Sequence, residues 1–360
     1  MSQSAQPIQR LIVAIFSVAM TSSVISAQAA DQIDTYRGAC DGSAAVALDQ
    51  NFFAVADDES NVLHIYRMGQ ADAVQELALD EFLQAPTKKK PGPDGKPVFK
   101  EADIEGAARI GDRIYWIASH ARDSGGDAEP GRARLFATRI VPHADGPRLE
   151  KIETAVYKDL REKMFKSATQ VEKIKFQLMN LLSNAYAPGK EKGPAPESMN
   201  GFNIEGLAAT PEGGLLIGFR NPRVGKRAIV IPLNNPLEVT DKGDTPVFGD
   251  PWQLNRLEGR GIRSIERING TYVIVAGPHN DVKDTKIKPP FALFTWSGKK
   301  GDTQPVMMGT KIPDGFRPEA VFAVPGSSNM MLLSDDGTDD CKATERPRKS
   351  FRAMTLPAPK

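Results

Sequence analysis

The sequence predicts an all-β fold, a five-bladed β-propeller with a helical insertion between its second and third blades. Three observations predict it. A strand–turn–strand unit recurs five times, a third strand follows every unit, and one strand-like segment stands unpaired ahead of the first unit. Four-stranded units repeated around a circle make a propeller.

The units are Ser43–Leu48 with Phe52–Asp58, Asp103–Ala108 with Arg113–His120, and Asn203–Ala208 with Gly214–Arg220. Arg263–Ile268 with Thr271–Gly277 and Arg317–Phe322 with Asn329–Asp336 complete the set. Gly, Asn and Asp at the intervening turns (Asp49-Gln50-Asn51, Gly111-Asp112, Glu212-Gly213-Gly214, Asn269-Gly270, Gly326-Ser327-Ser328) supply the positive φ that tight hairpins need. Third strands follow at Val62–Tyr66, Arg134–Thr138, Ala228–Pro232, Phe291–Thr295 and Ser350–Met354. Fourth strands are expected at Val74–Leu79, Leu149–Val156, around Val247–Leu254, and at Gln304–Gly309.

The fifth unit ends after three strands, and Ile33–Arg37 is expected to be its outer strand. That pairing closes the ring and covers two strand edges. The step from Glu105 to Glu205 is 100 residues, against 61 and 53 for the next two. An insertion at about 157–200 accounts for the long step. Leu160, Met164, Ala168, Val171, Ile174, Leu178, Leu181 and Ala185 recur at helical spacing up to Pro188-Gly189. The insertion reads as a cap packed on the propeller, with a lid over its mouth as the alternative. A sixth blade hidden there is the alternative blade count.

Residues 1–29 read as a signal peptide. Arg10 is the only charge before Asp31, Leu11–Met20 is apolar, and Ala27-Gln28-Ala29 is a small-residue cleavage pattern. The apolar run is too short for a membrane-spanning helix. The mature chain, 30–360, is then a single domain in the periplasm or secreted, without a membrane span, and is expected to be monomeric. Export permits disulfides. Cys40 and Cys341 are the only two cysteines of the 360 residues, and a bridge between them would tie the ends of the ring. Chain-entropy arguments give so long a loop about 4–5 kcal/mol.

A net charge of +1 excludes a strongly basic nucleic-acid binder. The sequence contains no G-x-S-x-G, H-E-x-x-H, phosphate-binding loop or dinucleotide fingerprint. What recurs is a glutamate at the start of the first strand: Glu105, Glu205, Glu266 and Glu319, with Ser43 in unit one. The second strands return to the same rim and end in Asp57-Asp58-Glu59, Ser119-His120, Arg220-Asn221, Pro278-His279-Asn280 and Asp335-Asp336. Arg263 and Arg317 flank the glutamates. Glu105 to His120 and Glu205 to Arg220 both span fifteen residues and read as equivalent hairpins.

Three uses of this mouth compete. Each Glu can tie its blade to the next by accepting N–H groups or an Arg fork. Clustered carboxylates can hold Ca²⁺, with Asp57, Asp335 and Asp336 as candidate ligands. Glu105, Glu205, His120 or His279 can act as general base while Arg residues hold an anion. The expected function is the binding of a small anionic or metal-bridged ligand by Glu105, Glu205, Glu266, Glu319, Arg220, Arg263 and Arg317. The alternatives are an ester or phosphoester hydrolase and a protein-interaction scaffold using the insertion.

The stretches 103–120 (DIEGAARIGDRIYWIASH), 203–222 (NIEGLAATPEGGLLIGFRNP) and 316–341 (FRPEAVF…LLSDDGTDDC) resemble the bacterial domain-of-unknown-function family numbered 3616. That resemblance implies an exported, propeller-like protein without an assigned activity. A looser similarity runs to esterase-like and phytase-like propellers, which share an E-G-(I/L/A)-A strand followed by a polar-ended strand.

Overall fold

The structure, a computed structural model, describes residues 1, 33–92, 94–167, 173–280, 290–337 and 349–360. Strand β1 (Ile33–Arg37) comes first. Blade one is β2 (Ala44–Ala47), β3 (Phe52–Ala56), β4 (Val62–Arg67) and β5 (Gln75–Ala78). Blade two is β6 (Ile104–Ile110), β7 (Arg113–Ala118), β8 (Leu135–Val141) and β9 (Arg148–Tyr157). The insertion follows as α1 (Leu160–Lys166) and α2 (Lys173–Tyr186). Blade three is β10 (Asn203–Ala209), β11 (Leu215–Asn221), β12 (Ala228–Leu233), a helix α3 (Pro236–Lys242) that was not expected, and β13 (Trp252–Leu254). Blade four is β14 (Gly261–Ile268), β15 (Thr271–Gly277), β16 (Ala292–Trp296) and β17 (Val306–Met307). Blade five is β18 (Pro318–Ala323), β19 (Asn329–Ser334) and β20 (Ser350–Pro357).

Each blade is a four-stranded antiparallel sheet, and β1 completes the fifth in the order β18-β19-β20-β1. Its register runs from Ile33 opposite Met354 to Arg37 opposite Ser350. The ring is therefore five-bladed and closed by its own N-terminal strand. The first strands touch in sequence around the axis: β2 to β6, β6 to β10, β10 to β14, β14 to β18, and β18 back to β2.

One apolar cluster fills each blade interface. Blades one and two enclose Ala54, Leu63, Ile104, Trp116 and Phe136; blades five and one enclose Tyr36, Phe53, Tyr66, Phe322 and Phe351. The second strand of a blade lies between neighbours on both faces, so β3 and β11 are buried along their whole length. This explains why the second strands read as continuous apolar runs. Burying each large apolar side chain contributes about 1.5–3 kcal/mol. Turn chemistry agrees with the sequence: Asn269 and Gly270 have φ of 50° and 86°, the pair of positive values that a type I′ hairpin needs.

The helices of the insertion add Leu160, Met164, Leu178, Met179, Leu182 and Tyr186 to the core between blades two and three. Arg122, 2% exposed, holds them there. Its Nε donates to Tyr186 O at 2.7 Å and its Nη2 to Ala187 O at 2.8 Å, at the carbonyl end of α2. Arg122 and Arg161 both lie over the Tyr186 ring, at 4.8 and 3.6 Å. The cap reading of the insertion agrees with this packing. Among the described residues no helix is long and apolar enough to cross a membrane.

Candidate functional site

Four of the five first strands carry a β-bulge near their start. The register skips Glu105 between Ile104 and Gly106, Glu205 between Ile204 and Gly206, Arg263 between Ile262 and Ser264, and Glu319 between Pro318 and Ala320. A bulge leaves one residue out of the ladder and re-aims its side chain. The residue after it must be small, because the next blade approaches there. A Cβ on Gly106 would come within 2.9 Å of Leu207, and one on Gly206 within 2.9 Å of Ile262. This is the physical content of the repeated I-E-G.

The bulges correct the sequence alignment at blade four. Its equivalent position is Arg263, not Glu266. Glu266 sits three residues further on, in regular register opposite Val273, where burial pushes it up to about 8. The fifteen-residue spacing also misleads. Ile117 pairs with Gly106 as Gly218 pairs with Gly206, so the turn of blade two is one residue shorter. Ser119, not His120, stands where blade three has Arg220.

The bulged residues of blades three, four and five form one closed network. Arg263 Nε lies 2.9 Å from Glu205 Oε2, and its Nη2 contacts Glu319 Oε1. Glu205 Oε1 also accepts from Arg220 Nη1 at 2.9 Å and from Asn203 Nδ2 at 2.8 Å. Glu205, Arg220, Arg263 and Glu319 are all buried. Two guanidiniums, Arg220 and Arg263, balance the two carboxylates of Glu205 and Glu319, so these groups tie blades together. Buried charges persist only in such pairs.

The opposite arc of the rim is different. Asp41 precedes β2, Asp57 and Asp58 follow β3, Asp103 precedes β6, and Glu105 is the bulged residue of blade two. Ligand oxygens of Asp41, Asp57 and Asp58 lie within 4.8 Å of one another, and so do those of Asp58, Asp103 and Glu105. Asp103 is neutralised by Arg132 Nη1 at 2.8 Å and is bonded by the Ser119 hydroxyl. Asp57 accepts the backbone N–H groups of Cys40 at 3.1 Å and Glu59 at 2.9 Å. Asp41 and Asp335 share the N–H of Gly337. Asp58 Oδ1 is buried without a hydrogen-bond partner among the described residues. Removal from water, first, and then neighbouring carboxylates raise Asp41, Asp57, Asp58, Asp103 and Glu105. Asp41 is pushed up to about 11 by burial, with Asp58 and Asp335 adding to it. Asp58 and Glu105 are raised well above their ordinary values, first by burial and then by neighbouring carboxylates. Carboxylates in this state are relieved by a proton or a cation.

The other candidates fall into place around this arc. Asp335 pairs with Arg317 Nη2 at 3.2 Å, which places both at its edge. Asp336 does not join the cluster. It binds Arg352 Nη2 at 2.5 Å and accepts the Ser334 hydroxyl at 2.9 Å. His120 is fully buried, with both ring nitrogens lacking hydrogen-bond partners among the described residues. Burial holds its pKa well below the ordinary value, and Arg161 adds to this, so it stays neutral. Its carbonyl accepts from Arg161 of the insertion at 2.8 Å, and it belongs to neither carboxylate triad. His279 is half-buried and enters the network through its carbonyl, which accepts from Arg220 Nε and Asn221 Nδ2. Cys40 is buried beside Asp41, and Cys341 lies outside the described residues. A cavity of about 910 Å³ on the opposite rim, lined by the turns of blades three and four with Trp252, Arg267 and Tyr272, is remote from these groups.

Residues 41–327 match the family described as "Protein of unknown function (DUF3616)". The chain belongs to that family. Comparison with curated proteins finds no match. Among solved structures it is similar to the glutaminyl cyclase of Myxococcus xanthus, with 12% identity, TM-score 0.41, and 92% of this chain and 97% of that chain covered. It is also similar to a putative oxidoreductase (glucose dehydrogenase) of Thermus thermophilus, with 13% identity, TM-score 0.40, and 91% and 100% covered. The PQQ-bound aldose sugar dehydrogenase of Streptomyces coelicolor follows, with 12% identity, TM-score 0.37, and 91% and 99% covered. Likeness at this level says nothing about what this family member binds.

Proposed function

We propose that this protein is an exported binding propeller whose mouth takes a divalent oxygen-seeking cation, Ca²⁺, and uses it to bridge to a small anionic ligand. The observation that supports the reading is the uncompensated acidic arc: Asp41, Asp58 and Glu105 meet at the rim with no cationic partner within ion-pair distance among the described residues. Ca²⁺ takes six to eight oxygens, mostly from carboxylates, carbonyls and water. Asp41, Asp57, Asp58, Asp103 and Glu105 supply carboxylate oxygens from two adjacent blades. Water and the ligand complete the shell. The arginine half of the rim is already engaged with its own glutamates, so the acidic half is where a ligand gains most.

The signal sequence supports export, and the proposal includes a Cys40–Cys341 bridge in the mature chain. An exported site tolerates weak affinity, since extracellular Ca²⁺ modules work at about 10⁻⁴–10⁻³ M. Thermal unfolding of metal-stripped protein tests the reading. Ca²⁺ at about 10 mM, roughly 10–100 times such a Kd, should raise the midpoint by a few degrees, because it adds about 1.4–2.7 kcal/mol. Asp58→Asn should abolish the shift. An unchanged midpoint of the wild type with Ca²⁺ would refute the proposal.

A further inference from the structure

We infer that the rim holds two cations, not one, with Asp58 as the bridging carboxylate. The first position is Asp41, Asp57 and Asp58; the second is Asp58, Asp103 and Glu105. The inference rests on the cation reading above and assigns its stoichiometry and ligands.

Three observations carry it. First, the oxygens cluster twice. Each triad lies within 4.8 Å, and Asp58 is the residue common to both. Second, the charges fit. Asp103 and Asp335 are neutralised by Arg132 and Arg317. Asp41, Asp57, Asp58 and Glu105 have no ion pair among the described residues, although Lys349 acts on Asp57 through space. Four carboxylates match two divalent cations. A single Ca²⁺ would leave charge of the second triad buried and unbalanced.

Third, the propeller contains its own comparison. Glu105, Glu205 and Glu319 occupy the same bulge position in three blades. Glu205 and Glu319 each receive an arginine. Glu105 receives none within ion-pair distance, since Ser119 replaces the arginine of blade three, although Arg263 acts on it weakly through space. It is 9% exposed, with no hydrogen bond or ion pair among the described residues, and its carboxylate belongs to the second triad. A buried carboxylate is retained only when something compensates it. In blades three and five that is a guanidinium, and in blade two it is the second cation.

Equilibrium dialysis of the full mature protein against Ca²⁺, with bound metal counted by mass spectrometry, tests this. The wild type should hold two Ca²⁺ per chain. Asp41→Asn and Glu105→Gln, each nearly isosteric, should hold one each, and Asp58→Asn should bind at least tenfold more weakly at both positions. Circular dichroism checks that each variant is folded, and the wild-type count stands without any variant. One Ca²⁺ per chain in the wild type would overturn the inference while leaving the cation reading intact. Loss of all metal in both Asp41→Asn and Glu105→Gln would overturn it as well. No bound Ca²⁺ would overturn both.

Discussion

At the scale of single residues, four glutamates that look alike in sequence have different chemistry. Glu205 and Glu319 share Arg263, Glu105 faces other carboxylates, and Glu266 is half-buried three residues beyond the bulge, in neither group. Glu266 has a testable pH signature. Its carboxyl is raised from 4.5 to about 8 in the fold, so the folded state binds its proton more tightly than the unfolded state. Its stability is fully present below about pH 4.5 and is lost as pH rises through 8. Glu266→Gln should therefore leave the unfolding midpoint unchanged at pH 4 and raise stability at pH 9 by about 1–3 kcal/mol. Parallel melts of both proteins across that range would show the curves separating. The recurring glutamate was visible in the sequence, and three of the four, Glu105, Glu205 and Glu319, share the bulge position, whereas Glu266 does not. Arg263 as the fourth bulge residue was not visible, because the bulge that aligns it consists of hydrogen-bond register. Asp41 and Asp103 were passed over because they stand in the leads into strands, where an acid usually marks a turn.

At the scale of elements, the insertion is structural. Its apolar stripe, read at helical spacing, buries Leu178, Leu182 and Tyr186 against Phe202 and Phe219 of blade three. Phe202 meets Tyr186 and Phe219 edge-on, with ring centroids 6.1 and 5.6 Å apart. Leu182→Ala should cost about 2–5 kcal/mol, the price of a methyl-lined cavity in a packed interface. A urea melt followed by tryptophan fluorescence should stay a single transition with a lower midpoint. A change under 0.5 kcal/mol would fit a loosely held lid instead. The helices were legible because a stripe recurring every three or four residues needs only local geometry. The anchoring by Arg122 was not, since its acceptors are carbonyls more than sixty residues away that show no side-chain signature.

At the scale of the whole molecule, closure of the ring organises both stability and the site. Strand β1 belongs to blade five, and the chain then crosses to blade one through Cys40 and Asp41. Asp57 holds the N–H of Cys40, and Asp41 pairs across the seam with Asp335. Tyr36 packs in the same seam with Phe53 and Phe351, at centroid distances of 5.1 and 5.5 Å. The acidic arc is thus built where the ends of the propeller meet. The proposed bridge would reinforce the same seam. Reduction with dithiothreitol should lower the stability of the wild type by about 2–5 kcal/mol and leave Cys341→Ser unaffected. Equal melts of the wild type with and without reductant would refute the bridge.

The sequence by itself determined the architecture. Repeated strand–turn–strand units, turn residues at the hairpin tips and a leftover N-terminal strand admit one economical arrangement, a ring of five blades closed by Ile33–Arg37. Each of those signals is local, or a repetition of something local. Only the tertiary structure decided which charges meet. A bulge can turn a side chain without changing the hydrophobic pattern, and the group that compensates each acid comes from another blade. Glu205 and Arg263 are neutralised across 58 residues, and Asp41 meets Gly337 across 296. Sequence spacing carries no information about such encounters, because the electrostatic balance of a buried carboxylate depends on distances in space.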